Sequence, residues 1–332
     1  MIKVDEEIVG LNLRELIKVQ ARHFQIKLLV CVVSVAVIIA LTLWLPGPLW
    51  VLPSLLLGFL YAHAVELQHQ CLHNTAYRSK RWNRLVGVVL GLPSFVSFSD
   101  YQNSHLKHHR LLGTPADKEF FNYSYQRLTS LRALIPHLWM VQHYRAIAGD
   151  IFNSLRGKLV RADEATPAMA RRIRTEYQIM GFCLIVMAAA TIIFSTPLFL
   201  KLWLVPFLVA VPVHALIELP EHMGCDRSLP NVLVNTRTMK ANRLFVWFVN
   251  GNNYHVEHHW LPAVPNDKFP ELHRHVASKS TYLDTSYWSF YVQFFRNLRR
   301  NNLHRPWDKE HPSPGRATAA EEQPPKSFTA TN

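Results

Sequence analysis

The chain is poor in the residues that build the commonest metal and redox sites. It has only four cysteines among 332 residues, and none are paired at a Cys-x-x-Cys spacing. That excludes a cysteine zinc module, an iron–sulfur ligand set and a disulfide framework. Cys31 and Cys183 sit inside apolar blocks, Cys71 lies among histidines and Cys225 follows His222, a usage that implies a reduced, cytoplasm-facing site. No His-Glu-x-x-His occurs, so the common zinc-protease pattern fails. Neither a haem-attachment motif nor a His-Pro-Gly-Gly is present. Acidic residues are also scarce: 23 Asp and Glu stand against 36 Lys and Arg, a formal net charge of +13. No RNA- or DNA-binding motif accompanies that charge, so nucleic acid is not the expected partner. The charge flanks apolar blocks, as it does beside a membrane surface.

The apolar blocks themselves predict four spans. Residues 28–45 carry no charge, Pro46-Gly47-Pro48 forces a turn, and residues 49–65 are apolar again. Trp44 and Trp50 flank the turn in the manner of interfacial aromatics. Residues 178–194 and 198–217 repeat the arrangement around Ser195-Thr196-Pro197. Of the 36 Lys and Arg residues only Lys201 falls within either pair. The other side of the membrane, with both termini and the long middle segment, is therefore expected to be cytoplasmic. The first 26 residues are mixed and charged, unlike a cleavable signal peptide. Residues 85–98 are apolar but too short to span, and read as interfacial or re-entrant. Residues 131–147 and 281–295 read as membrane-surface segments. The expected layout is a cytosolic segment 1–26, a membrane domain 27–310 with cytosolic cap 66–177 and 218–310, and a disordered tail 311–332. The expected fold class is an all-α integral membrane protein, its four spans in two hairpins.

What the chain does have is histidine in three tight clusters: His69 and His73; His105, His108 and His109; His255, His258 and His259. Spacings of three and four place such side chains on one helical face. Each cluster can then aim its imidazoles at one point, and neutral imidazole suits Fe, Zn, Cu and Ni. Eight rings exceed the roughly three or four protein ligands of a zinc site, which points to two metal ions. A single histidine is more often a surface or hydrogen-bonded core residue; His63 and His214, near span ends, read that way. A metal transporter is the rival class, but it should carry its ionisable ligands in mid-span.

The order His-x-x-x-His, His-x-x-His-His, His-x-x-His-His resembles the membrane-bound fatty acid desaturase and hydroxylase superfamily. HQCLHNTAYRSKRWNRLVG (residues 69–87) is similar to its first box, YQNSHLKHHRLLGTPADKE (101–119) to its second and NNYHVEHHWLP (252–262) to its third. The likeness covers about residues 25–300. It implies four transmembrane helices under a cytosolic helical cap that holds two irons, with O2 as co-substrate. It also implies a further ligand between the second and third boxes, a role that falls on His222 in Glu221-His222-Met223-Gly224. Glu66, Asp117, Glu218, Asn252 and Asn253 are the candidates to support the ligands. No residue beyond the metal ligands is expected to be catalytic. The implied partners are a lipid-like or amphiphilic substrate and a separate electron donor of ferredoxin or cytochrome b5 type. Box spacing favours desaturation of an acyl chain or related substrate, with a hydroxylase or ketolase as the alternative.

Overall fold

A computed structural model describes residues 12–117, 128, 130–158, 165–226, 228–303 and 306–307. The expected tail 311–332 and the first 11 residues of the expected N-terminal segment lie outside the described residues. A short α1 (Leu13–Leu16) precedes α2 (Ala21–Trp44) and α3 (Val51–Leu72). Next come α4 (Lys80–Gly91), α5 (Phe98–Leu111), α6 (Leu131–Leu138), α7 (Val141–Leu155), α8 (Pro167–Ile193) and α9 (Val205–His222). The last part holds α10 (Val232–Asn235), β1 (Arg237–Met239), α11 (Arg243–Phe248), α12 (His255–Trp260), α13 (Phe269–Val276), β2 (Tyr282–Asp284) and α14 (Tyr287–Arg299).

Four helical stretches are long and apolar enough to cross a membrane: Leu13–Trp44, Gly47–Leu72, Pro167–Ile193 and Leu200–His222. They coincide with the four expected spans but run further. No Gly or Pro stops the chain at residue 65, so α3 continues to Leu72 and carries Glu66 and His69 with it. α3 is the central helix, packed against α2, α4 and α9, while α8 lies chiefly against α7 and α5.

α9 contains prolines at 206, 212 and 220, and each removes the N–H that would bond the carbonyl four residues earlier. Each freed carbonyl has found a side-chain donor on another element. The Tyr61 hydroxyl donates to Leu202 O at 2.8 Å and Trp139 Nε1 to Leu208 O at 3.0 Å. The Tyr291 hydroxyl donates to Leu216 O. Three potential breaks thus become three ties between α9 and its surroundings. The chain just before α9 widens into a π turn over Leu200–Leu204, and Ser54 takes the Lys201 carbonyl at 2.6 Å.

The 85–98 segment is a helix and a reversal, not a span. α4 stops at Gly91, the chain turns through Phe95 at φ 54°, and α5 begins at Phe98. A Cβ at Gly91 would lie 2.1 Å from Val96 O and 2.3 Å from Gln68 Nε2, so only glycine lets the turn close. Gln68, one residue before His69, donates to Gly87 O (2.9 Å) and Val96 O (3.1 Å). The turn that launches α5 is therefore stitched to α3.

The all-α expectation needs one correction, because β1 and β2 form a parallel pair with Arg237 opposite Tyr282 and Met239 opposite Asp284. The pair forms around Arg237, which is 2% exposed. Its Nε meets Asp284 at 2.7 Å, and its Nη1 donates to Pro220 O at 2.7 Å and Met223 O at 2.5 Å. A guanidinium on the last carbonyls of α9 satisfies them and complements the negative end of the helix. It also fixes the helix end that presents His222.

Candidate metal centre

Nine histidines from four segments come together as two groups. Nitrogens of His69, His73, His105 and His258 lie within 4.8 Å of one another. His109 joins them, its Nε2 standing 3.0 Å from Nε2 of both His105 and His258. His108, His222 and His259 make the second group. His255 Nε2 joins that group at 3.0 Å from His222 Nε2. Helix geometry explains the division. On α5, His105 and His109 are one turn apart and face the first group, while His108 faces the second. On α12 the same rule sends His255 and His259 to the second group and His258 to the first.

The donor chemistry fits a metal in each group. His69 Nε2 is 2.7 Å from His105 Nε2, and His105 Nε2 is 3.5 Å from His258 Nε2. A neutral ring has one N–H and one lone pair, so rings that all point inward cannot satisfy one another. Both ring nitrogens of His259 are buried without a hydrogen-bond partner, a cost that a metal ion would remove. The outer nitrogens of two rings are held by acceptors: His108 Nδ1 faces Asp117 at 3.1 Å and His222 Nδ1 faces Asn235 O at 3.0 Å, while His255 Nδ1 lies 3.3 Å from Glu221 without a hydrogen bond. Anchoring Nδ1 fixes tautomer and ring angle and leaves Nε2 as the inward donor. His105, His109, His255, His258 and His259 are held well below the ordinary imidazole range, first by burial and then by the neighbouring rings. They stay neutral, as metal ligands must.

The five supporting candidates go to different places. Asp117 meets His108 as a ligand support would. Glu66 and Glu218 both turn to His214, 3.0 Å from its Nδ1 and 3.1 Å from its Nε2. Asn252 donates to Glu66, and Asn253 donates to Met239 O at 2.9 Å. Sequence reasoning missed the Glu221 contact with His255, although Glu221 stands beside His222 in the chain.

A partly open cavity adjoins the first group, with Phe95, Asp100, Tyr101, Tyr144, Tyr177 and His214 among its walls. Tyr101 is the shared wall: its ring lies 6.0 Å from that of His69 and 5.4 Å from that of His105.

The sequence profile of the fatty acid desaturase family matches residues 46–291, which include all nine histidines. The chain belongs to the fatty acid desaturase family. A dihydrorhizobitoxine desaturase of Bradyrhizobium elkanii is 26% identical over 250 residues, covering 72% of this chain and 69% of that protein. A fatty acid desaturase of Bacillus subtilis strain 168 is 22% identical over 223 residues, 62% of each. Membership in the desaturase family makes the chain a membrane oxidoreductase whose histidine clusters are compatible with iron.

Proposed function

We propose that the protein is an O2-dependent di-iron desaturase acting on an acyl chain or related lipid-like substrate. The observation that carries this is the division of nine buried or half-buried imidazoles into a group of five and a group of four, three of them at the ends of the apolar helices α3 and α9 and six on α5 and α12. His69, His73, His105, His109 and His258 would hold one iron, and His108, His222, His255 and His259 the other. A bound iron pair, given dioxygen and two external electrons, supplies an oxidant able to remove hydrogen from an unactivated C–H bond. The protein's own part is to orient the rings, keep the site dry and bring the right carbon close. Asp117 and Asn235 do the first through Nδ1 of His108 and His222. The mostly apolar cavity beside Tyr101 serves the other two, and its open side admits the substrate.

The electrons come from a separate ferredoxin or cytochrome b5-type donor, steered to the basic cytoplasmic face. The cap over residues 66–177 and 218–310 faces the cytoplasm with both termini, and the four spans form two hairpins. The relatives' names differ in substrate, a fatty acid for one and dihydrorhizobitoxine for the other, so a smaller amphiphile stands beside an acyl chain. Hydroxylation by the same ligands remains the second reading, since both outcomes begin with the same hydrogen removal.

Protein purified in detergent under anaerobic conditions should contain about two irons per chain. Membranes containing it should consume O2 only when reductant is supplied. Mass spectrometry of lipids and small metabolites, with and without the protein, should reveal a product two hydrogens lighter. A single tight zinc in active protein would overturn the reading. Reporter fusions after Pro48 and Thr196 should report the side opposite to fusions after Lys118 and Lys268.

A further inference from the structure

We infer that Glu66, His214 and Glu218, with Tyr101 and Asn252, form a polar keystone that sets the geometry of the two histidine groups, His214 being its positioning residue. The inference rests on the di-iron reading above. These five residues occupy the same four segments that carry the nine histidines. Glu66 is three residues before His69 on α3, and Tyr101 is four before His105 on α5. His214 and Glu218 are eight and four before His222 on α9, and Asn252 is three before His255 at the start of α12. The keystone lies one to two helical turns before the ligands on α3, α5 and α9, and three residues before His255 in the turn that leads into α12.

The contacts make one connected network. His214 Nδ1 meets Glu66 Oε1 at 3.0 Å, tying α9 to α3. His214 Nε2 meets Glu218 Oε1 at 3.1 Å, and Tyr101 donates to the same oxygen at 3.3 Å, which brings in α5. Asn252 donates to Glu66 Oε2, and Asn266 donates to Asn252 Oδ1 at 3.0 Å, which brings in the segment before α12. Glu66, His214, Glu218 and Asn252 are all buried.

Three ligand-type side chains this close suggest a third metal, and the geometry argues against one. A ring binds a metal through one nitrogen with its other ligands converging on the same point. Here the ring lies between two carboxylates, one at each nitrogen. In the two histidine groups, by contrast, nitrogens of different rings face one another. The triad is a hydrogen-bonded bridge between helices.

Buried ion networks of this kind add little net stability, since desolvation consumes most of what pairing returns. Fully connected, they rigidify and select one arrangement. In a bilayer, where apolar contact gives helices no register preference, a polar bridge supplies it. A displacement of about 1 Å at a reacting centre can cost on the order of 100-fold, so register near the ligands matters more than strength. His214 and Tyr101 also wall the cavity, so the same bridge aligns the cavity with the first histidine group.

The test uses full-length protein loaded with 57Fe in detergent and compares wild type, His214→Ala, His214→Gln and Tyr101→Phe. The readouts are iron per chain, iron retained against a chelator, and the Mössbauer spectrum of the folded, loaded fraction. His214→Ala should still take up iron, hold it about 10–100-fold more weakly, and show altered quadrupole splitting. His214→Gln keeps an N–H donor for one of the two carboxylates and should recover part of the wild-type spectrum. Tyr101→Phe keeps the ring beside His69, loses only the bond to Glu218, and should shift the spectrum in the same sense by less. A wild-type spectrum and retention in His214→Ala overturn the inference. If that variant does not fold, a wild-type spectrum in Tyr101→Phe overturns it. Absence of iron from wild-type protein would instead sink the di-iron reading itself.

Discussion

α2 and α3 are consecutive helices, both long and apolar enough to cross a bilayer, and they are built for different surroundings. In its most apolar stretch α2 is 11% buried, against 50% for α3. α2 leaves Leu29, Val33 and Val37 more than half exposed, as side chains that meet lipid can be. α3 buries His63, Glu66, Gln68, His69 and Gln70 in sequence. Ionisable side chains are expensive at membrane depth and persist where they have partners and a task. α3 packs most heavily against α9, itself 44% buried, and Glu66 finds its partner His214 there. At their crossing a Cβ on Gly58 would lie 2.6 Å from Pro206 O, so the two backbones nearly touch. Apolar packing gives helices in lipid little reason to associate, so close approach and polar ties hold this pair. On the function proposed above, α2 serves as an anchor in lipid and α3 carries ligands of the metal centre.

The largest break in that comparison is to remove a proposed ligand at the end of α3. His73→Ala should abolish product formation and lower bound iron, because a mispositioned pair cannot direct its oxidant. Membrane insertion should be unchanged, since the apolar stretches are untouched. Product assays on membranes with matched protein amounts, alongside iron analysis, check both halves. Full turnover in His73→Ala would remove His73 from the ligand set.

A pH change acts on the same histidines in the metal-stripped protein. His105, His109, His255, His258 and His259 remain neutral in the folded chain well below the usual imidazole range, whereas in the unfolded chain they protonate near pH 6.5. Below that value the unfolded state binds more protons, so folding stability falls as pH falls and is fully present above it. Chelator-treated protein in detergent should therefore melt at a lower temperature at about pH 5.5 than at about pH 7.5. An unchanged midpoint would mean that the rings are hydrated in the stripped protein.

Much of this was legible in the sequence. Spacings of three and four carried the histidine faces, and uncharged runs carried the four spans, because both signals are local and periodic. His222 was reached by resemblance alone; it stands beside His108 and His255. Local periodicity cannot report which partner a buried polar group finds across the fold. Glu66 and Glu218 looked like ligand supports from their spacing to His69 and His222, yet both meet His214, and for Glu66 that contact crosses 148 residues of chain. Arg237 gave no sequence signal at all, because its role depends on Asp284 and the end of α9. The side-chain caps on the three freed carbonyls of α9 were equally hidden.

A smaller break tests one of those caps. Tyr61→Phe keeps the ring in place on α3 and removes only the donor to Leu202 O. A buried carbonyl left unsatisfied costs about 1–3 kcal/mol, so the thermal midpoint in detergent should drop measurably. Iron content should hold, because Tyr61 is about two turns from His69 on the same helix. A midpoint equal to wild type would show that another donor reaches the carbonyl Pro206 leaves open.

The smallest effect belongs to α2, and its smallness is the point. Val33 is 51% exposed on a helix whose neighbours on that face would be lipid tails. Val33→Ala exchanges one apolar side chain for a smaller one that is also a better helix former, by a few tenths of a kcal/mol. Lipid is as apolar as the side chain removed, so no cavity forms in the protein interior and no hydrophobic burial is lost. Stability should stay within about 0.5 kcal/mol, and iron content and turnover should be those of wild type. Val65→Ala on α3 is the control, because Val65 is only 1% exposed and its truncation leaves a gap in packed protein. Matched melting curves of the two variants would measure the contrast between lipid-facing and buried helices directly. Equal losses would mean that α2 is covered by protein, for instance a second copy of the chain, and that its exposed face is an interface.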